Sequence, residues 1–316
     1  MMHRLLFVLL LCLLLTGCTR DPLAPAVDAA PAVDIPAPVT ADQPQNEDRA
    51  TLWFRFGEEP YLAAESRVIT HSRTESHAMA LLRALLAGPG AGSAELRGLF
   101  PQGTQVISAT QSGNIMFVTL SRHIMNSYAD EPAAWRDQSF WAIEVPLRRQ
   151  LAMQAIAATL TENCDVDTVV ILVEQTGTAT DSLRLRQGYY TLDGDMALAK
   201  PILRDESLLL TPSRTAEVIL SCWQERDFTR LYRYIAPADQ SADCMGELAE
   251  LPHLLHASTL GGSISADGNT AVFSLQGAWL DQGREVPFEG QVLRLRREKG
   301  VWCVELSQLT GKEATR

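Results

Sequence analysis

A thiol, an aromatic quartet and a histidine pair are the side chains whose type and spacing could do chemistry in this chain. Cys18 closes the run Leu15-Thr16-Gly17-Cys18, directly behind an apolar stretch from Leu5 to Leu15 that follows His3 and Arg4. That stretch is too short to span a bilayer as a stable anchor, and its order of positive start, apolar centre and small residues is that of a secretory signal. The chemistry open to a cysteine placed there is acylation, and several buried acyl chains hold a protein at a membrane far better than one. Trp223, Tyr232, Trp279 and Trp302 offer ring surface that could line a pocket for a small apolar ligand, although filling a core is the commoner use of such rings. His253 and His256, three apart, could share a helix face and ligate a metal. No carboxylate–histidine motif accompanies them, so they read as a surface pair, and neither metal nor cofactor is expected.

The chain has six cysteines. Cys12 leaves with the signal and Cys18 is the acylation candidate. Cys164, Cys222, Cys244 and Cys303 lack the paired short spacing of a zinc or redox motif. A disulfide is allowed outside the cytoplasm. Cys222 with Cys303 is then the first choice, against the commoner reading of four small buried apolar residues. There is no Gly-x-Ser-x-Gly elbow and no His-Glu-x-x-His motif. Gly88-Pro89-Gly90-Ala91-Gly92 lacks the lysine a phosphate loop needs and reads as a helix exit. A buried catalytic carboxylate is not identifiable, since Asp243 and Asp267 sit in loop-like contexts. The expectation is a protein that is not an enzyme.

Small residues leading into Cys18 resemble the lipobox of bacterial lipoprotein precursors. The resemblance implies cleavage after residue 17, a diacylated Cys18 at the mature amino terminus, and a tether on the extracytoplasmic face of the cell membrane. Residues 18–49 are rich in Pro and Ala with interspersed Asp and no apolar periodicity. Such a segment cannot bury enough surface to offset its ordering entropy and reads as a disordered, extended linker. At about 3 Å per residue it could reach on the order of 90 Å. The remainder is long enough for two ordinary domains. Its 46% hydrophobic and 21% charged residues suit globular cores. Acidic residues outnumber basic ones, 38 to 27, which argues against nucleic acid and against adsorption to anionic lipid.

Elements that could carry these side chains follow in order. Leu52 to Phe56 has strand chemistry and Ser66 to Thr70 offers a second strand. A helix from Thr74 to Ala87 places Ala78, Leu81, Leu82, Leu85 and Leu86 on one stripe, and Gly88-Pro89 ends it. Two strands, 105–110 and 115–121, join across Ser112-Gly113-Asn114 as a hairpin. A longer helix is expected from Leu147 to Glu162 with Pro146 at its first position, after a loop over 122–145. Val166 to Glu174 reads as a buried strand. Together these describe an α+β domain over residues 50–200.

The blocks Leu81–Gly90, Leu99–Ser121 and Ala155–Glu162 leading into Val166–Glu174 resemble the GerM domain of bacterial sporulation and spore-germination lipoproteins. The matching positions are Leu86 to Pro89, Pro101 to Thr104, Gly113, and Thr159 to Glu162. These are turn and packing residues, so the resemblance speaks to fold and hardly to chemistry. It implies a non-enzymatic role, lateral packing against a protein partner or a second copy, and a Gram-positive envelope.

The carboxyl-terminal part reads as a second α+β domain over 208–312. Thr211-Pro212 opens a helix whose apolar face runs to Ile235 with a break at Arg226-Asp227. A short helix over Leu248–Ala257 follows, then strands over 259–266, 270–281, 286–298 and 301–309. This order resembles the cone fold of nuclear transport factor two and the ketosteroid isomerases, in which helices cover a curved antiparallel sheet. The sequence thus points to a membrane-anchored interaction or assembly module at the cell envelope. The alternative is a small-ligand binder or enzyme built on a pocket in the cone.

Overall fold

The sequence alternates strand and helix signals without a repeating βαβ unit, and the chain accordingly builds separate small sheets bridged by helices. The computed structural model describes residues 45–176, 181–191 and 195–311. The apolar signal, Cys18 and the linker up to residue 44 lie outside the described residues. The class is α+β.

Strand β1 (Gln45–Phe56) pairs antiparallel with β2 (Leu62–Ser72). Both are longer than the sequence signals: residues 45–49, expected in the linker, belong to β1, and β2 starts four residues before Ser66. Pairing supplies the reason, because Gln45 through Arg55 oppose Ser72 through Leu62 without a break, so ladder hydrogen bonds order residues whose side chains carry no strand signal. Helix α1 (His77–Leu86) is capped by Ser76, whose hydroxyl accepts from Met79 N, and buries Ala78, Leu81, Leu82 and Leu85 as the stripe required. The short β3 (Leu96–Arg97) pairs with β1 at Arg55 and Phe56.

Strands β4 (Val106–Ser112) and β5 (Ile115–Leu120) form the expected hairpin, with Ser112 opposite Ile115. Helix α2 (Ser139–Asn163) crosses from β5 to β6 (Thr168–Glu174), which lies parallel to β5. β6 also pairs with β7 (Ser182–Arg184) and β8 (Ile202–Leu203). Pro146 sits inside α2, not at its start. A mid-helix proline forfeits one hydrogen bond and crowds the preceding turn. The extra turns persist because Glu144 ahead of it is held by Arg55 of β1.

In the carboxyl-terminal part, α3 (Pro212–Glu225) ends where Arg226 turns left-handed, and Asp227 caps α4 (Phe228–Tyr232). Helix α5 (Cys244–Ala249) follows. Strands β9 (His253–Ile264), β10 (Thr270–Asp281), β11 (Arg284–Glu298) and β12 (Val301–Val304) form an antiparallel meander in sequence order. Two expectations need correction here. Residues 253–257 belong to β9 and not to a helix, because they pair with Leu280 through Gly277 of β10. The last strand stops at Val304, and α6 (Leu306–Thr310) follows, burying Leu306 and Leu309 at helical spacing.

Both parts contribute to one continuous apolar core. Leu209 bridges to Leu62, and the Leu210 amide donates to the Leu62 carbonyl at 2.8 Å. The Phe56 and Tyr234 rings lie 5.0 Å apart. Arg230 grips the buried Glu59 carboxylate through Nε and Nη2 at 2.6–2.9 Å. At Gly300 the backbone runs so close that a methyl group would lie 2.2 Å from the Ala64 carbonyl oxygen, and its φ of +98° independently favours glycine.

Candidate functional site

The carboxyl-terminal groove is built from aromatic residues on three elements. The α3 face that buries Ile219 and Leu220 carries Trp223 at its edge, and the Trp223 indole Nε1 donates to the Pro252 carbonyl at 3.0 Å. On β10, Trp279 lies 5.1 Å from the Trp223 ring and stacks on Phe288 of β11 at 4.7 Å. Gly277 opposite Phe288 makes that stacking feasible, since a side chain there would come within 2.7 Å of the Phe288 ring. These residues wall a groove of about 700 Å³ together with Leu254, Leu275 and Leu293, with α6 at one end. Its polar lining groups are Gln291, Gln308, Thr310 and the exposed Asp281. Such a site can hold an apolar ligand by burial and ring contact, with amides to orient it.

Of the four rings expected to line a pocket together, the structure brings two there. Trp302 is buried against β11 with the Arg297 guanidinium 6.0 Å above its ring, and Tyr232 ends α4; neither lines the groove. The Cys222–Cys303 pair is not bridged: all four described cysteines are free. Cys222 is packed into the α3 core face, and the Cys303 thiol donates to the Arg296 carbonyl at 3.4 Å. Burial pushes both thiols up to about 12. His253 and His256 stand on β9, opposite Leu280 and Ala278 across a register shift, and not on a helix; both are exposed. His256 instead approaches Glu285 at 3.5 Å. Asp267 accepts from Ser265 and from the Asn269 amide in an exposed turn, which lowers its pKa. Asp243 precedes α5.

The amino-terminal part uses its polar groups internally. Glu144 of α2 lies between Arg55 of β1, which reaches both carboxylate oxygens, and Arg148, whose Nε donates at 2.6 Å. Arg148 also forks onto Asp130 at 2.7 and 2.8 Å and lies over the Trp141 ring at 5.4 Å. Burial works to raise the Glu144 carboxyl, but hydrogen bonds from both guanidiniums outweigh it and hold it below the ordinary carboxylate range. Thr159 accepts the Trp53 amide at 3.2 Å, and the Asn163 amide group bonds both Thr51 N and Thr51 O. The helix end that resembles the GerM pattern thereby satisfies an edge of β1 that no strand covers there. The glycine-rich helix exit holds an internal anion: Glu65 accepts from Gly90 N at 3.0 Å and from Ser93 Oγ at 3.2 Å.

One constellation that the sequence reading missed lies beside α1. Asp48 on β1, His71 on β2 and His77 at the first turn of α1 each offer a ligand atom, all within 4.8 Å of one another. His71 Nε2 is 3.0 Å from Asp48 Oδ2, and His77 Nδ1 is 3.4 Å from the same oxygen. The Asp48 hydrogen bond, against the opposing effect of burial, raises the His71 pKa. The usable signal was the pair His71 and His77 on either side of a strand-to-helix turn.

Residues 51–177 match the family model Germane, described as sporulation and spore germination. The chain is similar to a structure of the tandem GerMN domains of the sporulation protein GerM from Bacillus subtilis. Identity is 18%, the TM-score is 0.34, and the match covers 50% of this chain and 47% of that one. The first GerMN domain of the same protein gives 16% identity and a TM-score of 0.29, over 49% of this chain and 96% of that one. A SEC-C motif-containing protein from Rhodopseudomonas palustris gives 16% and 0.26, over 30% and 75%. No curated protein matches the chain. The segment 51–177 is thus similar to the Germane family, in line with the resemblance carried by Leu86–Pro89, Pro101–Thr104, Gly113 and Thr159–Glu162.

Proposed function

We propose that this protein is a non-enzymatic lipoprotein, acylated at Cys18 and held at the extracytoplasmic face of the cell membrane. There its Germane-type domain acts as an interaction or assembly module in sporulation or germination. The family match over 51–177 carries this reading. A face for the interaction is at hand: Phe140 and Ile143, on the first turns of α2, are 61% and 72% exposed. Large apolar side chains left in solvent on an otherwise well-anchored helix mark a contact surface better than an energetic accident. The occupant is a protein partner or a second copy of this chain, and neither nucleic acid nor a cofactor takes part.

Metabolic labelling with palmitate tests the anchor. The wild type should carry label and sediment with membranes, and Cys18→Ser should lose both; label that persists in Cys18→Ser would sink the lipoprotein assignment.

A second reading rests on the groove between Trp223, Trp279 and Phe288. There the carboxyl-terminal part, read as a cone like that of nuclear transport factor two, would bind a small apolar molecule, and an enzymatic use would fall to Asp281, the titratable side chain of the lining. Native mass spectrometry of the purified chain tests it: a co-purifying apolar compound lost in Trp279→Ala supports binding, and an identical mass in both counts against it.

A further inference from the structure

The Asp48–His71–His77 cluster has the composition and spacing of a metal site. Zinc bound by nitrogen and oxygen at about 2.0–2.2 Å in a tetrahedron requires neighbouring ligand atoms about 3.3 Å apart. The two separations from Asp48 Oδ2, 3.0 and 3.4 Å, bracket that value. The two imidazole rings stand edge to face with centroids 5.8 Å apart, so both can turn a nitrogen toward one point without stacking.

The surroundings favour ligation over a simple hydrogen bond. His71 is 8% exposed, and its Nδ1 lies 3.1 Å from the Ser72 carbonyl oxygen. A backbone carbonyl at that position takes the Nδ1 proton and leaves the Nε2 lone pair for a metal, the usual outer-shell arrangement of a ligating histidine. His77 Nδ1 is shielded from solvent and has no hydrogen-bond partner. A shielded imidazole nitrogen without a well-formed hydrogen bond, here with Asp48 Oδ2 3.4 Å away, costs free energy unless something else satisfies it. Asp48 is 51% exposed, which gives a cation a path in and leaves one side of the site open.

We infer that Asp48, His71 and His77 bind a divalent transition metal of the zinc class, with a fourth position open to water or to a donor from a partner. Two imidazoles and one carboxylate suit zinc, copper or nickel and are a poor match for calcium or magnesium, which take oxygen ligands. The site joins the first residues of β1 to the β2–α1 turn. A bound cation would therefore pin the first residues of β1 onto the β2–α1 turn. This holds whether or not the interaction assignment above is right.

The test uses the full chain, purified in detergent without an affinity tag, stripped with chelator and exposed to zinc chloride alone. Wild-type protein should retain about one equivalent of zinc through gel filtration, measured by elemental mass spectrometry, and should unfold at a higher temperature with zinc than without. Asp48→Asn, His71→Ala and His77→Ala should each weaken retention by at least about tenfold and abolish the zinc-dependent rise. His253→Ala with His256→Ala should change neither. If His71→Ala does not fold, His77→Ala at the half-buried helix start and Asp48→Asn carry the test. Cobalt in place of zinc should give visible d–d absorption in the wild type that is absent from those variants. No retained zinc in the wild type, or equal retention in the Asp48 and His77 variants, would overturn the site.

Discussion

In the amino-terminal part, α2 turns Glu144 onto two arginines and Thr159 and Asn163 onto the edge of β1. In the carboxyl-terminal part, α3 turns Trp223 toward Trp279 and Phe288 across an open groove. The difference follows from what each helix covers. A strand edge with unpaired amides must be filled with matched donors and acceptors. A sheet face whose strands are already paired asks only for apolar cover and tolerates space. The first region therefore spends these side chains on its own strand edge, whereas the second leaves an apolar groove open to a small molecule.

The largest break in this comparison should come from Glu144→Gln. It removes the anion shared by Arg55 and Arg148 and leaves a buried guanidinium uncompensated, at about 3–5 kcal/mol. Urea unfolding should show it as a lower midpoint, and a change under about 1 kcal/mol would mean the network behaves as a surface pair. Gly300→Ala strikes the seam between the parts. Its positive φ and the Ala64 carbonyl together predict a loss of roughly 2–3 kcal/mol, read in the same titration; wild-type stability would show that the two parts do not pack closely there.

Trp279→Ala should leave the amino-terminal part untouched and weaken binding of an apolar fluorescent dye to the groove about tenfold, near 1.4 kcal/mol; unchanged dye binding would place the dye elsewhere. Acidification gives the smallest effect. Glu144 and Asp130 both have folded pKa values below their ordinary ones. Their contribution is present above the unfolded pKa, about 4, and is lost as pH falls through the folded values. Wild-type stability should therefore fall more steeply than that of Glu144→Gln between roughly pH 4 and 2, and parallel curves would remove Glu144 from the acid response.

Short-range signals were legible in the sequence. Ser112-Gly113-Asn114 gave its hairpin, Thr211-Pro212 its helix start, and Arg226-Asp227 its break, because each is decided by residues within a turn of one another. What failed depended on partners distant in sequence. Pro146 marks a helix start locally, yet Arg55, 89 residues before its partner Glu144, holds the turns ahead of that proline. His253 and His256 look like a helix pair until β10 claims them. Asp48 joins His71 and His77 only through the β1–β2 register, which no local spacing announces. The aromatic groove was half legible: residue type named all four rings, but only topology could separate Trp223 and Trp279 from Tyr232 and Trp302.

The central claim is that this chain works by contact through the exposed start of α2. The most direct measurement places a photo-crosslinking amino acid at Ile143 of the full chain in the native cell and follows it through sporulation and germination. The account predicts a discrete adduct, with a second copy or with one partner protein, that disappears when Phe140→Asp is added to the same chain. Recovery of uncrosslinked monomer alone at every stage, or an adduct indifferent to Phe140→Asp, would contradict it.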